Sequence, residues 1–289
     1  MDVGFSAWLF AIAVATSALG GSLGMASGIF IVPVLVTFGG VGIRTAVAAS
    51  IVSVIACSCG SAAAFLRAGL TNIRVAIVLE TATTLGALTG VFVGGFLPPS
   101  FLFLLFALIL LLSAQQMLAR RRESPGVMTR EEVDSSDWAT VLRLHSSYPD
   151  EALGRDVPYR VHRVPLGLGL MYGAGLISAL LGIGSGVLKI PAMDTALRLP
   201  IKVSSATSNF MIGVTAAASG VAYFALGEIN PDVAGPVAIG SVIGSLLGAR
   251  FLMAMSGDRL RLFFVAVLIA LAVQMSLEAF GIRLGGHAS

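Results

Sequence analysis

Two runs of small residues, each followed by a proline, carry the chemistry open to this sequence. The first is Gly20-Gly21-Ser22-Leu23-Gly24-Met25-Ala26-Ser27-Gly28 with Pro33 five residues on, and the second is Gly182-Ile183-Gly184-Ser185-Gly186 with Pro191 at the same distance. Glycine weakens a helix interior by about 1 kcal/mol and proline by about 3, so a helix entering either run must break. The half-helix resuming after a break presents unpaired N–H groups and about half a positive charge, which suits an anion. Those ends are Ser27-Gly28 and Ser185-Gly186, where glycine lets an oxyanion approach the backbone and the serine hydroxyl can donate as well. Tight packing of small residues is the competing explanation. Packing alone, however, requires neither the proline nor a break at both places.

Four charged residues stand inside otherwise apolar segments: Glu80, Lys189, Asp194 and Arg250. Each is costly enough there to be a functional candidate. Lys189 lies three residues beyond Gly186, and a cation beside two helix ends fits an anionic cargo; an internal ion pair with Glu80 or Asp194 is the alternative. Glu80 and Arg250 lie nearer the ends of their segments and are expected to reach toward the interface, with Glu80 also a candidate protonatable carboxylate for coupling. Asp194 is expected close to the interface. Ser50 and Ser53, and later Ser204, Ser205, Thr207, Ser208 and Asn209, add polar side chains. The dense Thr207-Ser208-Asn209 reads as a cavity wall, against interhelical hydrogen bonding as the alternative.

Other chemistries find no support. Cys57 and Cys59 point about 200° apart on a helix and cannot bridge; they are small packing residues or a thiol facing a sulfur-containing substrate. His145 and His162 lack Cys or paired His at ligand spacing, so no metal is expected. H-E-x-x-H, Walker A and C-x-x-C are all missing, so neither an enzyme, a cofactor nor ATP-driven work is expected. Transport would draw on a gradient.

The elements that must position these residues are membrane segments. Of 289 residues 56% are apolar and 11% charged, where soluble domains carry about a quarter charged. Between Arg120 and Arg163 lie eight of the eighteen basic and eight of the fifteen acidic residues, which leaves the remainder nearly free of charge. A secreted disulfide scaffold, a disordered chain and a nucleic-acid binder are excluded. No basic n-region or A-x-A site precedes the first apolar segment, so no cleaved signal peptide is expected. Spans of roughly 20 apolar residues run from Phe5 to Phe38, Thr45 to Leu66, Ile73 to Phe96, Phe101 to Leu118, Pro165 to Leu197, Val203 to Leu226, Val233 to Met255 and Leu260 to Phe280.

A shift of 158 residues superimposes the halves without a gap: Gly24 falls on Gly182, Ser27 on Ser185, Gly28 on Gly186, Pro33 on Pro191, Ser50 on Ser208, Asn72 on Asn230, Gly86 on Gly244 and Gly90 on Gly248. An internal duplication follows. Basic residues sort onto one side only if the first and fifth segments return to the side they entered, as hairpins of two half-helices. Three true spans per half then invert the second copy, the design of many secondary transporters; a single broken but fully spanning helix is the alternative. The expected fold is an all-α integral membrane protein of two four-segment repeats, the first segment of each broken or re-entrant and the copies inverted. Its parts are residues 1–120, a polar cytoplasmic linker 121–163, and residues 164–289. Ser135-Ser136-Asp137 before Trp138 reads as a helix start within the linker, which is a plain connection or a docking element. Gly86-x-x-x-Gly90 and Gly244-x-x-x-Gly248 allow packing within one chain or in a homodimer.

The runs Gly20 to Leu35 (GGSLGMASGIFIVPVL), Gly182 to Pro191 (GIGSGVLKIP), Arg44 to Ser50 (RTAVAAS) and Lys202 to Asn209 (KVSSATSN) resemble the sulfite exporter TauE/SafE family of membrane permeases. The resemblance covers both halves and not the linker. It implies movement of sulfite, organosulfonates or related small sulfur-containing anions, linked to a proton gradient, in a bacterial inner membrane. Met25-Ala26-Ser27-Gly28 stands where the family has a string of glycines and Ala49 where a threonine is common, which places more of the binding in the second copy. The expected binding residues are Ser27, Gly28, Ser50, Ser185, Gly186, Lys189, Thr207, Ser208 and Asn209, with Glu80 for coupling. A carrier of another anion or of a neutral solute is the alternative, and a membrane scaffold whose linker recruits a partner is the third reading.

Overall fold

The computed structural model describes residues 3–22, 27–119, 138–150, 155–252 and 257–280. Leu23 to Ala26 of the first small-residue run, the Ser135-Ser136-Asp137 helix start and the Arg250 side chain lie outside the described residues. In chain order the elements are α1 (Val3–Ser22), α2 (Gly28–Thr37), α3 (Ile43–Arg67), α4 (Ile73–Gly94), α5 (Pro99–Ala119), α6 (Trp138–Val141), β1 (Ser146–Asp150), β2 (Arg155–Tyr159), α7 (Val164–Leu181), α8 (Gly186–Leu197), α9 (Ile201–Ala225), α10 (Pro231–Leu252) and α11 (Gly257–Ala279). Among the described residues α3, α4 and α7 are long and apolar enough to cross a bilayer, and shorter apolar stretches lie in α1, α2, α5, α10 and α11. The protein is a multi-pass, mainly α-helical membrane protein.

Local chemistry sets the helix ends. Asn72 caps α4, its Oδ1 accepting from the Val75 N–H at 3.1 Å, which satisfies one of the donors a helix start leaves over. Pro99 and Pro231 open α5 and α10, where the missing N–H costs nothing. Gly182 ends α7 in the left-handed region at φ +65°, and its N–H reaches the Ser178 carbonyl at 2.8 Å. Gly184 follows at φ +64°, so the break needs residues without Cβ. The prolines take no part in the turn itself. Pro33 and Pro191 sit inside α2 and α8, where each removes the donor that would bond the carbonyl of Ile29 or Val187 one turn earlier.

In both broken segments the end of the second limb lies beside the start of the first. The His162 N–H, just before α7, donates to the carbonyl of Leu197, the last residue of α8, at 3.2 Å. Gly39, past the end of α2, lies against the Trp8 ring near the start of α1. The first limbs are longer than the half-helices expected. α1 has 20 residues and α7 has 18, against 10 and 12 in α2 and α8; at 1.5 Å per residue the second limbs alone rise about half of a ~30 Å hydrocarbon core. Both first limbs are apolar along their length, and the glycines inside α7, Gly167, Gly169, Gly173 and Gly175, stand singly rather than in a run with a proline behind it.

Helix pairing is matched between the halves. α1 packs on α10 as α4 packs on α7, α3 meets α10 as α9 meets α4, and α3 pairs with α9 and α5 with α11. Glycine makes the closest of these contacts possible. A Cβ on Gly86 or Gly90 would overlap the α7 carbonyls of Tyr172 or Leu176, and one on Gly244 the α1 carbonyl of Val14. The faces of Gly86, Gly90 and Gly244 are thus spent within the chain.

The linker departs from the all-α expectation. β1 and β2 form an antiparallel hairpin with Tyr148 opposite Val157 and Ser146 opposite Tyr159. Ala139, Leu144, Tyr159 and Val161 share one buried apolar cluster with Val75, Ala76 and Leu79 of α4, Met193 of α8 and Met211 of α9. The segment is docked on the membrane domain.

Candidate functional site

The two breaks meet. A Cβ on Gly28, the first residue of α2, would overlap the carbonyl oxygen of Gly182 at the tip of the α7–α8 hairpin. Ser50 of α3 closes the contact, its hydroxyl donating to the same carbonyl at 2.7 Å. The Val47 backbone presses on Gly182 from the other side. Two of the expected residues, Gly28 and Ser50, therefore form one structural unit with Gly182. Their backbone polar groups satisfy each other where lipid could not.

At the second break the N–H groups of Leu188 and Lys189 both turn back to the Ser185 carbonyl, at 3.0 and 2.8 Å. The Gly186 and Val187 N–H groups have no partner within the helix, as for any first turn. The hydroxyl of Ser185 is buried with no hydrogen-bond partner, and so is that of Ser208 on α9. Thr37 and Thr71, the other hydroxyls in that condition, lie at helix ends rather than in the interior. A buried hydroxyl without a partner costs on the order of 1–3 kcal/mol, a cost that a bound polar ligand would remove.

One turn past Ser185 lies Lys189, fully buried, with Nζ 3.3 Å from Glu80 Oε2 of α4 and 2.6 Å from Thr215 Oγ1 of α9. The Thr215 hydroxyl also meets Glu80 Oε1 and lies 3.0 Å from the Met211 carbonyl. Thr84 donates to Glu80 Oε1 at 3.3 Å. Glu80 is 8% exposed, which corrects the expectation that it reaches for the interface. The physical reason is pairing: the lysine offers it a counter-charge inside, so the carboxylate has no need to reach water. Of the two ion pairs anticipated for Lys189, the one with Glu80 is formed.

The remaining expected residues divide by copy. Thr207 accepts from the Asn72 backbone N–H at 3.1 Å. Asn209 donates from Nδ2 to the Ser205 carbonyl at 3.1 Å, while its own carbonyl accepts from Ser58 at 2.6 Å. Ser27, at the first break, is engaged in a serine cluster: its Oγ is 2.6 Å from that of Ser53, which lies 2.5 Å from Ser241 and 3.4 Å from Ser17. The repeat register explains the contrast. Ser53 corresponds to Met211, so Ser185 finds no hydroxyl opposite it, whereas Ile31 and Cys57 stand in the first copy for Lys189 and Thr215, and Ala238 stands in the second for Glu80. Cys57, which is buried, and Cys59, which is exposed, form no disulfide.

Thr215 was not among the sequence candidates. Its signal was available, because Ser208, Met211, Thr215 and Ser219 recur every three or four residues on one face of α9.

Comparison with known proteins adds a family match. The pattern described as Sulfite exporter TauE/SafE matches residues 9–275. The chain is similar to the "Probable membrane transporter protein YunE" of Bacillus subtilis (strain 168), 22% identical over 267 residues, covering 90% of this chain and 93% of that one. It is also similar to "Sulfite exporter TauE/SafE family protein 6" of Arabidopsis thaliana, 36% identical over 78 residues that make up 27% of this chain and 18% of that protein. No solved structure matches.

Proposed function

Because this chain belongs to the sulfite exporter TauE/SafE family, we propose that it is a secondary transporter of a small sulfur-containing anion, sulfite or an organosulfonate, across the bacterial inner membrane. One observation carries the reading: the buried hydroxyl of Ser185, without a partner, lies one turn from a buried cation, Lys189, whose counter-charge can be neutralised by a proton. The free N–H groups at the start of α8 add partial positive charge to the same break. An oxyanion has acceptors for all of these donors.

In this reading Glu80 occupies the place of the anion's charge when the site is empty. A proton on Glu80 would release the Lys189 ammonium toward the cargo, and loss of the proton would restore the Lys189 pair and expel the anion. Thr215 holds the two side chains in register. Proton and anion would then travel together. Matched helix pairing and the contact of the two breaks at Gly28 and Gly182 support an inverted repeat, a design that with the basic residues would put the linker in the cytoplasm. Ala139, Leu144, Tyr159 and Val161 of the linker are engaged with the membrane domain, while Trp138, Val141 and Leu142 stay exposed.

The test is flux in proteoliposomes with a sulfite-sensitive dye inside. Wild-type protein is expected to carry sulfite, to respond to an imposed proton gradient, and to be competed by sulfonates above carboxylates. Glu80→Gln keeps Lys189 company without a titratable group and should uncouple flux from the gradient. A wild-type protein that moves none of these anions sinks the proposal.

A further inference from the structure

We infer that the docked part of the linker, residues 138–150 and 155–163, is the gate of the transport site, and that Asn72 is the residue that positions it. The inference rests on the transport reading above and concerns which side of the site is sealed.

The layers around the Lys189, Glu80 and Thr215 cluster differ on its two sides. One helical turn toward the linker lie Met193 on α8, Ala76 on α4 and Met211 on α9, all buried and apolar. One turn the other way lie Ser185, Thr84 and Ser219, all hydroxyls. The apolar layer continues directly into Leu144, Tyr159 and Val161 of the linker, within a single cluster. An ion has no hydrogen-bonding partner across such a layer, so in this conformation the site is closed toward the linker and polar toward the opposite side. Opening to the linker side requires the plug to part.

Asn72 fastens it. Its Nδ2 donates to the Leu144 carbonyl at 3.0 Å and to the Tyr159 hydroxyl at 2.8 Å, both in the linker. Its backbone N–H donates to Thr207 of α9 at 3.1 Å, and its Oδ1 caps α4. One residue therefore ties a first-half helix, a second-half helix and the linker together beside Ser208, whose hydroxyl is unpartnered. The repeat counterpart shows what is special. Asn230 makes only the local bond, Oδ1 accepting from the Asp232 N–H at 3.0 Å. Arg74 to the Arg143 carbonyl at 3.1 Å and His162 to Leu197 at 3.2 Å brace the linker further.

The experiment measures half-saturation for sulfite separately from each face of oriented proteoliposomes, for wild type, Asn72→Ser and Tyr159→Phe. Asn72→Ser keeps a capping oxygen and loses the reach to the linker; Tyr159→Phe leaves the α4 cap untouched and guards against a folding failure of the first. Loosening the plug should populate the state open to the linker side. Apparent KM then falls on the linker face and rises on the other, by about fivefold for each buried hydrogen bond removed. Opposite shifts on the two faces are what a general loss of stability would not produce. Unchanged KM values, or equal shifts on both faces, overturn the gate whether or not protease shows the linker loosened. Wild-type flux, read in the same vesicles, tests the transport reading separately.

Discussion

No Cβ fits between Gly28 and the carbonyl of Gly182, so the first helical residue after one break rests directly on the backbone of the other. The contact lets two half-length helices, α2 and α8, meet without lipid-exposed backbone between them. Ser50 completes it by bonding the Gly182 oxygen at 2.7 Å.

Gly28→Ala should therefore push the tips apart. The added methyl has only backbone to displace, which puts the cost in the range of about 1–3 kcal/mol seen for overpacked interiors. Thermal unfolding in detergent checks the stability loss, and flux should fall further than the stability alone explains. Gly42→Ala, with nothing within 4 Å of the added Cβ, is the control and should behave as wild type.

The Lys189–Glu80 pair predicts a non-additive result. Lys189→Met strands a carboxylate that is 8% exposed, and breaking a buried pair from one side costs about 3–5 kcal/mol. Adding Glu80→Gln to it removes the stranded charge, so the double variant should recover most of that stability while failing to carry anions. A double-mutant cycle on melting temperature measures the coupling. Additive losses would show that the two charges do not depend on each other.

What the sequence disclosed and what it concealed separate along physical lines. Breaks and membrane character were legible because glycine, proline and apolar runs act through local backbone energetics, and Gly182 and Gly184 indeed take positive φ. Lys189 stood out too, for a buried charge is costly anywhere, and its side chain is fully buried. Its partner was not settled: Glu80 lies 109 residues away and only packing of α4 against α9 and α8 chooses it over Asp194. The serine cluster around Ser53 was equally hidden, since Ser17, Ser27 and Ser241 come from three different helices. The linker hairpin escaped notice because its strands are short and interrupted by Pro149 and Pro158.

The docked linker also predicts an alkaline limit. Burial pushes the Tyr159 phenol above its ordinary range, and this outweighs the hydrogen bonds from Asn72 and Ser146 that pull it down. A free tyrosine titrates near pH ~10. Because the folded value is the higher one, the neutral phenol's contribution to docking is fully present below pH ~10 and is lost as pH rises through the raised value. Ionisation would place a phenolate inside the cluster of Leu144, Val161 and Val75. Fluorescence of Trp138, at the start of α6, followed in a Trp8→Phe background, should thus hold steady through neutral pH and change only in strong alkali. Tyr159→Phe should flatten that transition. A transition of the same midpoint in the Tyr159→Phe protein would mean that another group, and not this phenol, holds the linker down.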